Sequence, residues 1–318
     1  MTSTPIRLGI VGLGAMGREL FTAALPHPDF TVTRAADLDP ATIARLGAEH
    51  PSVAFSTETK DVIGSDDVDA VYIATPPGTH AALVVPALQA GQAVFCEKPL
   101  SVSAADAEAM LSAAQASGRA AAVNFSLSDR QSTRYVEAAI ADGRVGEVLA
   151  VEIQLAFPVW PREFQAAATW VGERAQGGFV REVFSHFAYL TDRLVGPLEL
   201  VHGVLDHCGA GSEMAAYGLM RAGDIPVQLT GVVGAQPTTY EWVLRGSRQS
   251  HRLSNWRDLF VAEGNGWQPV ILTGEPGSET TRLSLFARAI RGEHTPDLAD
   301  FASAYRVQQV VEAFHHST

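Results

Sequence analysis

Ile6-Arg7-Leu8-Gly9-Ile10-Val11-Gly12-Leu13-Gly14-Ala15-Met16-Gly17 runs from an apolar strand straight into a glycine triplet, and a helical pattern follows from Arg18 to Leu25. This is G-x-G-x-x-G in the context its chemistry requires. Gly12 permits the tight turn, Gly14 lets backbone approach a pyrophosphate, and Gly17 allows close packing of helix on strand. The N-terminus of the helix, at Ala15 and Met16, offers N–H donors and the positive end of the dipole to phosphate. Glycines at any strand-to-helix turn imitate this motif, so a second element has to agree with it.

That element is Phe30 to Ala36, a strand ending at Asp37, 20 residues beyond Gly17. A carboxylate there accepts both ribose hydroxyls of a dinucleotide and repels a 2′-phosphate, which favours NAD over NADP. The plainer role for Asp37 is a turn or N-cap residue, because Asp39-Pro40 opens the next helix.

Strand and helix patterns then alternate: a helix over 41–49, strands at 53–55 and 68–74, and the rigid loop Thr75-Pro76-Pro77-Gly78-Thr79-His80. The octapeptide Ala93-Val94-Phe95-Cys96-Glu97-Lys98-Pro99-Leu100 follows, an apolar strand that stops abruptly at an acid, a lysine and a proline. A continuous apolar strand suits a parallel sheet covered on both faces. Ligands bind such sheets at the carboxyl ends of the strands. Thr75, Pro76, Pro77, His80, Glu97 and Lys98 are therefore expected beside the cofactor, with His80 read as structural rather than catalytic. Pro99 restricts Lys98 and a cis Lys98-Pro99 bond is an option, so the lysine is aimed. Taken alone, this octapeptide is better explained by a solvated lysine in a turn.

The composition narrows the class. Of 318 residues, 47% are hydrophobic and 18% charged, which describes a globular chain with room for two domains. A formal net charge of -12 with no basic run argues against nucleic acid and anionic membrane as partners. Cys96 and Cys208 are the only cysteines, so neither a disulfide framework nor a zinc motif is expected and a cytoplasmic location is the simplest one. No metal site is expected.

With G-L-G-A-M-G, A-T-P-P-G-T-H and C-E-K-P-L in this order, the chain resembles the Gfo/Idh/MocA oxidoreductase family, named for glucose-fructose oxidoreductase and inositol dehydrogenase. Gly177-Gly178-Phe179-Val180-Arg181-Glu182-Val183-Phe184-Ser185-His186 is similar to the family's G-G-x-x-x-D-x-x-x-H segment, and Leu285 to Gly292 with Phe301 to Phe314 is similar to its last helices. The resemblance implies an N-terminal Rossmann domain, a doubly wound parallel sheet over 1–124. It also implies a substrate-binding and oligomerisation domain over 125–318, α+β with a large, mostly antiparallel open sheet, whose C-terminal helix packs back on the first domain. Carried onto matching positions, the catalytic lysine is Lys98, the histidine is His186 and the family's aspartate is Glu182, one methylene longer. Tyr189 stands where many members carry an acid, and Phe125 to Arg130 lacks their aromatic-Asn-x-Arg pattern.

Strand patterns at 148–157, 198–208, 214–220, 227–233, 240–244 and 259–262 are poorly separated by helices, as a mostly antiparallel sheet requires. An apolar outer face on that sheet implies a homodimer or homotetramer. Glu182 and His186, four apart, are expected on one face of a helix. Trp160, Arg162 and Trp170, in an irregular segment rich in proline and arginine, are candidates for a substrate-facing loop, with packing onto the sheet the equal alternative. The resemblance, with these residues in place, implies hydride transfer between NAD(P) and a hydroxyl or carbonyl carbon of a sugar, cyclitol or similar polyhydroxy compound. The competing reading is a nucleotide-binding sensor of the same fold that catalyses nothing.

Overall fold

The computed structural model describes residues 4–317, which divide into two units. The first holds the chain up to Phe125 together with Ser278–Tyr305, and the second holds Ser126–Gly277 with the chain from Arg306 onward.

In the first unit, β1 (Ile6–Val11), α1 (Ala15–Ala24), β2 (Phe30–Ala36), α2 (Pro40–Glu49), β3 (Ala54–Ser56), β4 (Ala70–Ile73), α3 (His80–Gln89), β5 (Ala93–Cys96), α4 (Ala104–Ser117) and β6 (Ala121–Val123) alternate as expected. The sheet runs β6-β5-β4-β1-β2-β3 with every pair parallel, so the order reverses at β1 and the strand ends beside it form a crevice. β4 and β5 are buried at every residue, which is why their sequence is continuously apolar. Asp39 rather than Asp37 caps α2, its carboxylate accepting from the N–H groups of Ala41 and Thr42.

The late segment completes this unit. After α7 (Glu279–Ile290), β15 (Ala299–Asp300) pairs antiparallel with β6, and α8 (Phe301–His316) begins. Phe286 of α7 stacks on Phe95 at 5.3 Å and on Phe30 at 6.3 Å, and with Leu283 and Ala287 it sits in the same buried cluster as Leu8, Ile10 and Tyr72. A core assembled from both ends of the sequence cannot close until the chain has returned.

The second unit contains α5 (Gln131–Ala141), β7 (Val148–Phe157), α6 (Ser185–Leu194), β8 (Leu198–His207), β9 (Glu213–Ala222), β10 (Ile225–Val233), β11 (Thr239–Gly246), β12 (Ser250–Ser254), β13 (Asp258–Ala262) and β14 (Gln268–Pro269). These strands form one eight-stranded sheet in the order β14-β13-β12-β11-β7-β10-β9-β8. Its pairs are antiparallel except for the central β10 and β7. Strand β12 has no counterpart in the sequence reading, since Ser250-His251-Arg252-Leu253-Ser254 lacks an apolar alternation strong enough to stand out.

Helix α8 covers one face of β8 and β9. A Cβ at Gly218 would lie 2.2 Å from the Phe314 ring, and one at Gly203 2.9 Å from it, so glycine is needed at both for the helix to approach. Among the described residues no helix is long and apolar enough to cross a membrane.

Candidate active site

The glycine turn behaves as its spacing predicts. Gly12 has φ +91°, and a Cβ there would stand 2.6 Å from the Ala74 carbonyl oxygen. A Cβ on Gly17 would meet the Gly12 carbonyl oxygen at 1.9 Å. Gly14 differs, because nothing lies within 4 Å of the position its Cβ would take. Two glycines are there to let the chain pack, and the third opens onto space beside the first turn of α1. Gly14 is itself the N-cap and has no side chain with which to satisfy that turn, so the donors at Ala15 and Met16 remain for a ligand. This cradle fits the pyrophosphate of a dinucleotide.

Asp37 ends β2 half-buried. Its Oδ2 accepts the Leu13 N–H at 2.6 Å and its Oδ1 accepts the Asp39 N–H at 2.8 Å. It therefore ties the glycine turn to the start of α2, and each oxygen keeps a second lone pair able to accept a ribose hydroxyl. Arg34, the nearest cation in sequence, is committed to Asp67 at 2.5 Å.

At the end of β5 the chain enters a buried polar network. Glu97 is 6% exposed. Its Oε1 accepts from the Tyr72 hydroxyl and, at 2.6 Å, from Asn124 Nδ2, while Oε2 accepts the Lys98 N–H at 3.3 Å. Asn124 Oδ1 in turn accepts from Arg282 Nε of α7 at 2.6 Å, and Arg282 also pairs with Glu279. Glu97 thus grips the backbone on which Lys98 is mounted. The Lys98–Pro99 bond is cis, and Lys98 itself is half-buried at the carboxyl edge of the sheet.

Burial pushes the Glu97 carboxyl above its ordinary 4.5, against the lowering pull of Tyr72, Lys98, Asn124 and Arg282. A carboxyl whose folded pKa is raised contributes stability that is fully present below the unfolded pKa and lost as pH rises through the folded one. Glu97→Gln keeps an acceptor for Tyr72 and Asn124 and removes that titration. Urea melts from acid to neutral pH should show the wild type losing ground to Glu97→Gln as pH climbs above about 4.5. Parallel pH profiles would mean that Glu97 titrates normally.

His80 is fully buried, with Nε2 2.9 Å from the Thr75 carbonyl oxygen and Nδ1 3.2 Å from that of Leu100. Burial lowers its pKa. The ring braces the Thr75–Pro77 loop against the segment after Lys98, an internal position for its side chain. Thr75 is held by the Thr79 hydroxyl at 2.7 Å.

The histidine segment lies in the second unit and departs from a plain helix. Val180–Phe184 is a π-helical turn, and α6 begins only at Ser185. Glu182 sits in this turn and His186 in the first turn of α6, so both are carried on one continuous helical run; such turns recur at functional sites. Glu182 is buried and its Oε2 accepts from Gln165 Nε2 at 3.1 Å. His186 Nδ1 meets the Ser126 hydroxyl at 3.3 Å.

The irregular segment is held by contacts among its own side chains and with β7. Trp160 stands edge-on to Phe157 at 5.0 Å and donates its Nε1–H to the Val171 carbonyl at 3.3 Å. Arg162 lies over the rings of Trp160 and Phe164, and its Nε donates to Gln165 Oε1 at 2.8 Å. Gln165 consequently links this loop to Glu182. Trp170 sits half-buried in the short turn Thr169–Gly172.

A residue outside the expected set stands against the histidine. Trp256 lies perpendicular to the His186 ring with centroids 5.2 Å apart, and it packs on Phe187 at 5.0 Å and Tyr240 at 5.3 Å. Its φ is +68°, after Asn255 at +51°. A bulky side chain at positive φ is strained and persists only where its surroundings hold it, a pattern concentrated at functional sites. The signal in the sequence is slight: Asn255 in a polar stretch marks a turn, but nothing there points towards His186.

Residues 6–125 match the family model GFO_IDH_MocA, described as an oxidoreductase family with an NAD-binding Rossmann fold. Among curated proteins the chain is 30% identical over 219 residues to 1,5-anhydro-D-fructose reductase from Ensifer adhaerens, covering 67% of this chain and 64% of that protein. It is 33% identical over 159 residues to inositol 2-dehydrogenase from Rhizobium meliloti (strain 1021), covering 49% and 47%. The matches thus span about half to just under two thirds of these relatives. In fold, levoglucosan dehydrogenase in complex with NADH superposes with a TM-score of 0.86 at 18% identity, over 99% of this chain and 97% of that one. WlbA dehydrogenase from Bordetella pertussis, in complex with NADH and UDP-GlcNAcA, gives 0.85 at 20% identity over 100% and 96%.

Proposed function

We infer that this chain, which belongs to the Gfo/Idh/MocA oxidoreductase family through residues 6–125, is a nicotinamide-dependent dehydrogenase or reductase acting on a hydroxyl or carbonyl carbon of a sugar, cyclitol or related polyhydroxy compound. The observation that carries this is Lys98 at the carboxyl edge of the same parallel sheet whose first strand ends in the open cradle at Gly14. The names of the relatives, an anhydrofructose reductase and an inositol dehydrogenase, support the substrate class.

Bound NAD(P) supplies the hydride acceptor or donor. Gly14, Ala15 and Met16 hold its pyrophosphate, and Asp37 its adenosine ribose. Thr75, Pro76, Pro77 and Glu97 shape the wall from which Lys98 projects. Lys98 hydrogen-bonds the reacting oxygen, stabilising the charge that develops there, and His186 exchanges the proton at Nε2 while Ser126 holds Nδ1. Glu182, fixed by Gln165, steadies the π turn that carries the histidine. Incubating the protein with NAD and a panel of sugars and cyclitols, with absorbance of reduced nicotinamide as the readout, tests this. Turnover of at least one polyol is expected, whereas tight NAD binding without turnover of any substrate points to the sensor.

NAD is the preferred cofactor, because Asp37 repels a 2′-phosphate and Arg34 is held by Asp67. Asp37→Asn weakens both cofactors by loosening Leu13 but should raise the NADP-to-NAD ratio of kcat/KM by about tenfold, the equivalent of roughly 1.4 kcal/mol. An unchanged ratio removes Asp37 from the discrimination.

The protein associates with itself through the open face of β8 and β9, as a dimer or tetramer. Val204, Tyr217 and Leu219 are 39–48% exposed there and alternate with Gly203 and Gly218, which face α8. Apolar side chains gathered on one wet face mark an interface. Light scattering should give a multiple of the chain mass that Leu219→Glu lowers, and a monomer at every concentration refutes it.

A further inference from the structure

We propose that Glu213, at the start of β9, is a positioning residue for His186: its carboxyl group holds the first N–H of the π-helical turn and thereby sets where the imidazole stands. Glu213 is fully buried, and its Oε1 accepts the Val180 N–H at 2.6 Å across 33 residues of sequence. Phe179, in the N-cap position, makes no side-chain cap hydrogen bond, so an orphan donor of the first turn is satisfied from the sheet instead. The Val180 carbonyl accepts the Ser185 N–H, the longer bond that makes the turn π-helical, and Ser185 directly precedes His186. A single residue, Val180, thus stands between the carboxyl and the backbone that carries the imidazole.

The glycine pair before the turn accommodates this contact. Gly178 has φ +100°, and a Cβ there would stand 2.0 Å from Glu213 Oε2 and 2.5 Å from Oε1, so only glycine lets the carboxyl come so close. A Cβ on Gly177 would meet the Val171 carbonyl oxygen at 2.1 Å. The neighbouring cation does not claim the carboxyl, because Arg181 gives its Nε and Nη2 donors to Glu312 at 2.8 Å each. Among the described residues Glu213 Oε2 has no hydrogen-bond partner, and burial pushes the carboxyl's pKa up against the pull of the Val180 N–H. An apolar side chain would fill the space without that cost of burial, so what the carboxyl contributes is its hold on Val180.

The histidine end of the run has little slack. His186 Nδ1 meets the Ser126 hydroxyl at 3.3 Å, near the outer limit of a hydrogen bond. If Val180 slips, Ser185 moves with it, and the ring loses either this bond or its place. Because the held group is a backbone N–H, the carboxyl's reach rather than its charge positions the turn. Two single substitutions separate those properties. Glu213→Gln keeps the reach and gives up the charge, whereas Glu213→Asp keeps the charge and falls one methylene short of Val180.

This role rests on the dehydrogenase reading for the reaction that His186 serves, but the ring can be observed without turnover. Nitrogen NMR of the full chain carrying isotopically labelled histidine reports which ring nitrogen holds the proton, and His186→Asn identifies the His186 signals. Glu213→Asp should move those signals and redistribute the proton between Nδ1 and Nε2, while Glu213→Gln should leave them at their wild-type positions. With a substrate that is turned over, Glu213→Asp should lower kcat by about ten- to a hundredfold at nearly constant KM, and Glu213→Gln should retain most of the activity. Val227→Ala, in the buried core of β10, is the control for lost stability, and it should lower Tm without moving the His186 signals or kcat. Wild-type His186 signals in Glu213→Asp overturn the proposal, as does an equal displacement in Val227→Ala. The reverse order, with Glu213→Gln displaced and Glu213→Asp unchanged, also overturns it, in favour of the charge. His186 signals that respond as expected while no polyol is turned over keep the positioning role and remove the dehydrogenase.

Discussion

Lys98→Met should lower kcat/KM for the polyol substrate by about 10²–10⁴-fold while NAD binding stays nearly unchanged. Methionine keeps the length of the stem and removes only the charge and the hydrogen bonds. The frame that aims the side chain is made by other groups: the Lys98 N–H donates to Glu97 Oε2, and the Glu97 N–H donates to the Ile73 carbonyl at 2.8 Å. Neither bond depends on the side chain at 98, so the variant should fold as the wild type does. The cradle at Gly14 belongs to a different strand end, which is why cofactor affinity and turnover should separate. His186→Asn adds a sharper test. If Lys98 and His186 act on the same substrate oxygen, the double variant should lose less than the product of the two single losses, because groups acting as a unit are not additive. Lys98→Met turning over substrate at the wild-type rate, with NAD bound, would reject the lysine.

The first half of the site was legible because its chemistry is local. A strand, a glycine triplet and an acid at the next strand end lie within Ile6 to Asp37, and each constrains backbone shape directly. The open space at Gly14 and the crowding at Gly12 and Gly17 follow from that spacing. The second half was only partly legible, because its chemistry is assembled across long separations. Trp256 reaches His186 from 70 residues further on. Gln165 bridges Arg162 and Glu182, though glutamine in a loop carries no pattern that announces it. The π turn at Val180–Phe184 is likewise hidden, since the apolar residues around Glu182 read equally well as an α-helix. Asp37 shows a middle case. The turn role weighed for it and the ribose role are compatible, because its oxygens hold the Leu13 and Asp39 N–H groups and keep lone pairs for a ligand.

Arg282→Met should cost about 3–5 kcal/mol of stability, the range for breaking a buried ion pair from one side. Arg282 is 1% exposed in α7, where it joins Glu279 to Asn124 Oδ1 and through Asn124 to Glu97. Removing the guanidinium leaves the Glu279 carboxylate without that partner and takes from Asn124 the donor that orients its amide. Asn124 then has less reason to keep Nδ2 on Glu97, so the loss reaches the carboxyl that holds the Lys98 backbone. Denaturant melts should show the full drop, and Glu279→Gln in the same background should recover part of it, because no uncompensated charge then remains. Activity gives the second readout. If the network sets the lysine's position, Arg282→Met should reduce kcat in the fraction that remains folded, by less than Lys98→Met does. A full stability loss with kcat intact would confine Arg282 to packing α7 on β6. Neither effect would mean that the buried pair contributes nothing that a methionine cannot replace.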